Sequence, residues 1–290
     1  MSTHLNLAPP PNTAGHLAIL GTGPGGDLWR SPEATAYLQA ATDWVGYRTY
    51  LDLVEPLRPP TTQRHDSDNR VERERACFAL DLAAQGRRVA LISSGDPGIY
   101  AMAAAVLEVL EGEAKPAWQT VAIQICPGIS AMQAAAAQVG APLGHDFCVI
   151  SLSNLLKPWA AIAQRLQAAA AADFVIALYN PVSPQRTWQL EQAKAILRQW
   201  RSPETPVVIA RNLGRSGQTV RIIALADLAS TEADMRTILL IGSSQTRRFQ
   251  GPDGRDWLYT PRFYPGQEVG SGPISPEPSR ISAEQATPTP

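Results

Sequence analysis

The stretch Ser93-Ser94-Gly95-Asp96-Pro97-Gly98-Ile99-Tyr100 decides how the chain is read. It follows the apolar run Val89-Ala90-Leu91-Ile92 and precedes an Ala-rich helical run from about Ala101 to Leu110. The chain therefore turns at the carboxyl end of a buried strand, the edge at which open α/β sheets bind ligands. Two glycines let backbone approach a ligand closely. Pro97 fixes the turn and removes one donor. Asp96 adds an acceptor, and Tyr100 an aromatic face with a hydroxyl. Alone, the octapeptide also suits a plain strand-to-helix turn with an Asp cap.

Working outward, strands and helices alternate on both sides. Leu17 to Leu20 is a short apolar strand, and Ser31-Pro32-Glu33 starts a helix with Ser as N-cap and Pro at the first helical position. Asp43 to Gly46 reads as a second strand and Pro56 to Asp68 as loop. A helix with Asn69 as cap and Glu72 three residues on runs to about Gly86. Beyond the octapeptide come a strand near 120–125 and Pro127-Gly128-Ile129-Ser130, which leads into a helix over 130–139. Pro142-Leu143-Gly144-His145 reads as a junction. The second block has strands at Phe147 to Ser151, Phe174 to Leu178, Val207 to Arg211, Thr219 to Leu225 and Ile238 to Gly242. Its helices are expected over about 158–171 and 186–201, and residues 257–263 are expected to add an edge strand. This alternation predicts an α/β fold of two αβα domains, the first sheet mostly parallel and the second mixed. The expected division is a flexible arm over 1–15, an N-terminal domain over 16–141, a C-terminal domain over 142–264 and a disordered tail over 265–290.

With 290 residues, 44% of them hydrophobic, the chain is long enough for two ordinary cores. A net charge of −1 gives no electrostatic case for nucleic acid or an anionic membrane. No apolar run reaches the roughly 18–20 residues that span a bilayer, and Met1 to Gly15 is polar and Pro-rich without the apolar core of a secretory signal. Cys77, Cys126 and Cys148 lack CxxC spacing and His neighbours, so they read as reduced thiols of a cytoplasmic protein, with no metal site. Arg70, Arg73 and Arg75, interleaved with Glu72 and Glu74, read as a solvated charged helix face, and Trp118, Trp159, Trp188 and Trp200 as packing residues.

Gly21-Thr22-Gly23-Pro24-Gly25-Gly26 matches GxGxxG after a strand, the pattern of a dinucleotide-binding turn. Three features oppose that reading. Pro24 sits inside the motif. The helix starts only at Ser31-Pro32, so the last glycine cannot sit at a helix N-terminus under a pyrophosphate. No acid ends the second strand, where Gly46 leads into Tyr47 and Arg48. The missing acid also disfavours the commoner methyltransferase fold.

The ordered set Gly21-Thr22-Gly23-Pro24-Gly25, Gly95-Asp96-Pro97 and Pro127-Gly128-Ile129-Ser130 resembles the tetrapyrrole methylases, the class III S-adenosylmethionine methyltransferases. Further stretches narrow the likeness to members that methylate precorrin-3B at C17: Gly46 to Tyr50, Gly144 to Phe147, Ser151 to Leu156, Ala177 to Pro181, Arg211 to Arg215 and Ile241 to Thr246. It covers about residues 17–264. The family pattern differs where this chain has Asn154, Lys157, Leu213 and the segment Arg64 to Asn69.

The resemblance implies two αβα domains with S-adenosylmethionine in the cleft between them. Carried over by motif, the cofactor contacts are Pro24, Ser94, Gly95, Asp96, Ile99, Ser130, Ala131, Tyr179, Asn180, Asn212 and Leu213. The implied reaction is attack of a macrocycle carbon on the sulfonium methyl, with ring contraction to precorrin-4, in cobalamin synthesis. Positioning two bound reactants supplies several kcal/mol without a covalent intermediate. Ring contraction needs a base, for which Asp96, His145 and Tyr47 are the candidates. A substrate with many carboxylates implies donors around it: Gly23, Gly25, Arg48, Tyr100, Arg211 and Arg215. A homodimer is also implied. The competing readings are a cobalt-containing precorrin, uroporphyrinogen or a ribosomal RNA nucleotide as substrate, a nicotinamide-dependent oxidoreductase, and a non-catalytic S-adenosylmethionine-binding regulator.

Overall fold

The computed structural model describes residues 15–68 and 71–263. Residues 1–14 of the expected arm, the tail from 265, the Asn69 cap and Arg70 lie outside them.

The first half runs β1 (His16–Gly21), α1 (Pro32–Ala40), β2 (Asp43–Tyr47), α2 (Arg48–Val54), β3 (Gln63–Ser67), α3 (Glu72–Ala84), β4 (Arg88–Ser93), α4 (Met102–Glu113) and β5 (Ala122–Cys126). Its five strands lie in the order β3-β2-β4-β1-β5, and every pairing is parallel. Helices cover both faces. Leu17, Ile19, Val89 and Leu91 pack under α3 and α4, while Ala18, Leu20, Ala90 and Ile92 pack under α1 and α2. Burial on both faces is why β1 and β4 are continuous apolar runs rather than alternating ones. Ser31 caps α1 as expected, its Oγ accepting from Ala34 N at 3.0 Å.

Three expectations need correcting here. Residues 63–67, read as loop, form the edge strand β3. With one neighbour it has no apolar requirement, and its Arg64 is held by Asp52, Glu55 and Asp66. Arg75, read as part of a solvated face, is buried and donates to Ser67 Oγ at 2.6 Å and to Asp68 O. Arg73 does face solvent, paired with Glu113. Trp118 is buried, but Trp188 and Trp200 are half exposed.

The second half runs α5 (Ala131–Val139), β6 (Gly140–Ala141), β7 (Phe147–Ser151), α6 (Trp159–Ala171), β8 (Val175–Tyr179), α7 (Gln189–Leu197), β9 (Pro206–Arg211), β10 (Thr219–Ala224), β11 (Thr237–Ile241), β12 (Arg247–Gln250) and β13 (Asp256–Tyr259). Its main sheet is mixed, in the order β10-β9-β11-β8-β7. β7 and β8 pair in parallel and the remaining pairs are antiparallel. β13 does not extend this sheet; it joins β12 and β6 in a separate three-stranded one. One face of the main sheet is covered by α6 and α7, the other by α5, whose Met132, Ala135 and Val139 pack on Ala177, Val208, Ala210 and Leu240. The packing break therefore falls at Pro127–Ser130, ahead of the expected division after residue 141, because the apolar face of α5 fits the second sheet.

At the amino edge of the first sheet the fully buried carboxylate of Asp43 accepts from Arg87 Nη2 at 2.8 Å, Thr42 Oγ1 at 2.7 Å and the His65 ring at 2.9 Å. Burial pushes this carboxyl up, but the bonds from Arg87, His65 and Thr42 outweigh it and hold it below its ordinary value. Breaking a buried charge network by removing one partner is costly, so Asp43→Ala is expected to lose about 3 kcal/mol of unfolding free energy in urea at neutral pH. A depressed carboxyl stabilises above its unfolded value and loses that contribution as pH falls through the folded one. The deficit of the variant should therefore shrink on acidification below the ordinary carboxylate range, measured by denaturation at a series of pH values.

Candidate functional site

Because all strands of the first sheet are parallel, Gly21, Tyr47, Ser67, Ser93 and Cys126 end on one edge. The loops leaving β1, β4 and β5 are joined there backbone to backbone. Thr22 N and Oγ1 both donate to Ser93 O at 3.0 Å. Gly23 N donates to Gly95 O at 3.2 Å and Gly95 N to Gly23 O at 2.7 Å. A Cβ on Gly21 would stand 2.7 Å from Gly128 N, Gly95 O and Pro97 Cδ, and one on Gly128 would stand 2.2 Å from Gly95 O. Only glycine permits this approach. Asp96 completes the junction: Oδ1 accepts from Gly98 N at 2.8 Å and Oδ2 from Gly128 N at 3.0 Å. The Gly23 amide that a pyrophosphate would need is thus occupied, and α1 begins only at Pro32.

In the second half β8 and β9 both run antiparallel to β11, and β7 runs parallel to β8. Ser151, Tyr179 and Arg211 therefore share an edge, and it faces the loops of the first half. Two side chains cross the gap in opposite directions. Arg215 donates from Nε to Pro24 O at 2.6 Å and from Nη2 to Ser94 Oγ at 2.7 Å. Burial pushes its guanidinium below its ordinary value. Beside it a Cβ on Gly214 would stand 2.3 Å from Gly25 O. Tyr100 crosses the other way, its hydroxyl donating to Val149 O at 3.0 Å and its ring centroid 5.5 Å from that of Tyr179. Burial pushes the pKa of both tyrosine hydroxyls above its ordinary value. Tyr179 Oη accepts from Met132 N at 3.2 Å, and Asn180 Nδ2 donates to Ser151 Oγ at 3.0 Å. Tyr100, Asn180 and Asn212 have φ of 51°, 52° and 53°. Non-glycine residues rarely adopt that region, and such strain gathers at functional sites.

The structure thus brings Gly23, Pro24, Gly25, Ser94, Gly95, Asp96, Ile99, Tyr100, Ser130, Ala131, Tyr179, Asn180, Asn212 and Arg215 to one cleft. Several do different work from that expected. Ser130 is a buried capping box, with Oγ accepting from Gln133 N and its own N–H donating to Gln133 Oε1 at 2.9 Å. The Leu213 side chain packs in the core with α5. Arg48 is paired with Asp66 and Arg211 with Asp234, so their charges are already compensated. Arg215 is a cross-cleft clamp. Both Asp96 oxygens accept backbone N–H groups, a structural role rather than that of a free base. His145 precedes the amino end of β7, at the opposite edge from Ser151 and roughly 20 Å away along the strand. Its Nδ1 accepts from Asp146 N at 2.7 Å. Tyr47 does end β2 at the cleft edge, its ring 5.1 Å from Tyr50. Lys157, noted in the sequence only as a departure from the family pattern and not as a site residue, places its Nζ 5.6 Å from the Tyr100 ring centroid.

Among the described residues no group of three or more His, Cys, Asp or Glu could hold a metal ion, and no helix is long and apolar enough to cross a membrane. A cavity of about 690 Å³ over the three-stranded sheet is lined by none of the cleft residues.

The sequence profile of the Tetrapyrrole (Corrin/Porphyrin) Methylases matches residues 16–229. The chain belongs to the tetrapyrrole methylases. It is 47% identical over 253 residues to the precorrin-3B C(17)-methyltransferase of Sinorhizobium sp, covering 87% of this chain and 98% of that one. It is 51% identical over 255 residues to the cobalamin biosynthesis protein CobIJ of Mycobacterium bovis, covering 87% of this chain. The chain spans about half the length of that relative, 49%. Among solved structures, the methyltransferase CobJ superposes with a TM-score of 0.78 at 45% identity, over 86% of this chain and all of that one. A uroporphyrin-III C-methyltransferase of Thermus thermophilus, complexed with S-adenosylhomocysteine, shares the fold with a TM-score of 0.59 at 18% identity, over 79% of this chain and 97% of that one.

The clamp is testable apart from any ligand. Arg215→Ala removes two donors from partly buried acceptors, and is expected to cost about 2 kcal/mol in urea denaturation. Amide exchange at Gly23 and Gly95 should quicken by about tenfold. Unchanged exchange there would show that Arg215 does not hold the halves together.

Proposed function

We propose that the chain is an S-adenosylmethionine-dependent C-methyltransferase that methylates precorrin-3B at C17 and contracts the ring to precorrin-4, in cobalamin biosynthesis. The carrying observation is the likeness to the Sinorhizobium enzyme over nearly its whole length. Cytoplasmic location and a homodimer belong to the same proposal; sedimentation of the purified chain tests the second.

The cleft suits the cofactor. At Gly95, with φ of 70°, a Cβ would meet only Ser130 Cα and Ala131 N, at the ordinary contact distances of 3.9 and 4.0 Å, so the loop after β4 faces the start of α5. Beneath it the buried Ser93 Oγ has no partner among the described residues. Gly95, Ile99, Ser130, Ala131, Tyr179 and Asn180 would hold the cofactor through backbone groups and apolar walls. When bound, S-adenosylmethionine supplies an electrophilic methyl group on sulfonium. The chain orients the partner carbon and excludes water, which needs no covalent nucleophile. Accordingly, burial pushes the Cys126 and Cys148 thiols up to about 11, so neither is a thiolate at neutral pH. Of the three residues weighed for proton transfer, Asp96 holds two backbone amides and His145 precedes the amino end of β7, which leaves the Tyr47 hydroxyl at the cleft edge. We assign it the relay of the proton released on ring contraction.

Incubation with precorrin-3B and labelled S-adenosylmethionine, read by mass, is expected to show the gain of one methyl group. Gain only with the cobalt complex would move the assignment to the cobalt-containing substrate, and no gain with either would overturn it. Calorimetry should show binding of S-adenosylhomocysteine and none of NAD. Asp96→Ala frees both the Gly98 and Gly128 amides, so it is expected to weaken S-adenosylhomocysteine binding by about tenfold. Unchanged affinity would reduce Asp96 to a turn residue.

A further inference from the structure

The arginines of the surface are largely compensated. Arg64, Arg73, Arg87, Arg221 and Arg248 each stand against a carboxylate, as do Arg48 and Arg211. Lys157 differs. It lies on loop 152–158, which leaves β7 at the edge carrying Ser151, Tyr179 and Asn180. Its ammonium stands 5.6 Å from the centroid of the Tyr100 ring, and that ring 5.5 Å from Tyr179, so it borders the cleft itself. No carboxylate pairs with it among the described residues, and none pairs with Arg165 on α6. Burial lowers the Lys157 ammonium below its ordinary value, and the like charge of Arg165 lowers it further. A cation held partly out of water beside another cation is unfavourable until an anion arrives.

The rest of the loop indicates the shape of that anion. Leu155 is 72% exposed and Leu156 fully so. Large apolar side chains presented beside an uncompensated cation fit a flat apolar body with carboxylates on its rim. A small inorganic anion would leave the leucines unused.

We infer that Lys157 is an anion-binding residue of this cleft, placed beside the Tyr100 ring to take a peripheral carboxylate of the tetrapyrrole while Leu155 and Leu156 cover the adjoining edge of the macrocycle. The inference rests on the tetrapyrrole reading above, and goes beyond it in naming the donor. Arg165 adds to the local field without a contact of its own.

The test uses the full chain with S-adenosylhomocysteine bound and uroporphyrin I as an octacarboxylate probe, followed by fluorescence. Lys157→Met keeps the apolar stem and removes the charge; it is expected to weaken uroporphyrin binding by about tenfold, the scale of one charge-assisted hydrogen bond. Lys157→Arg should restore it, and raised salt should narrow the gap between wild type and Lys157→Met. In turnover, KM for precorrin-3B should rise by a similar factor with kcat unchanged. Affinity for S-adenosylhomocysteine, which reports the folded cofactor wall, should stay within about twofold. Equal uroporphyrin affinity and equal KM in wild type and Lys157→Met would overturn the subsite and leave the proposed function standing. A parallel loss of S-adenosylhomocysteine binding would also overturn it, making Lys157 a residue that supports the wall. A wild type that binds no tetrapyrrole and methylates none would overturn the function and the subsite together.

Discussion

The cleft rests on the paired hydrogen bonds between Gly23 and Gly95. They fasten the loop after β1 to the loop after β4, and the close seat of Gly128 against Gly95 O adds the loop after β5. Three peptide segments at van der Waals contact leave no room for side chains. The functional groups are therefore pushed outward, toward the second sheet. Asp96 sits at the centre of this arrangement as the acceptor that satisfies amides on two of the loops. Both of its oxygens are committed to holding backbone amides.

Much of the fold is legible in the sequence, and the reason is burial. β1 and β4 lie between two layers of helices and must be apolar throughout, so their runs are unmistakable. Ser31 and Pro32 announce α1 because cap chemistry is local. β3 was not legible, because an edge strand with one neighbour is free to carry Gln63, Arg64 and His65. The attachment of α5 was not legible either. Its alanines fit any apolar surface, and only the three-dimensional packing shows which sheet they cover.

The same contrast runs through the site. Gly95, Ile99, Ala131 and Tyr179, carried over from the resemblance by motif, stand at the facing strand ends because a motif fixes where the backbone runs. Long side chains were read less well, since a motif fixes the Cα and not the direction of a guanidinium. Arg215 stands in a matching motif, yet it reaches across the gap to Pro24 and Ser94. Arg75 stands in a charged run, yet it turns inward. His145 matched by neighbourhood in sequence, and strand direction carries it to the far edge.

The hydroxyl of Tyr100 has one more consequence. β7 is the last strand of its sheet, and Phe147-Cys148-Val149-Ile150 is apolar and β-prone. An open edge of that composition is a template on which another chain can assemble. Tyr100, arriving from the other half, occupies the carbonyl of Val149 at the middle of that edge. The side chain that crosses the cleft therefore also caps a carbonyl on the outer strand of the second sheet.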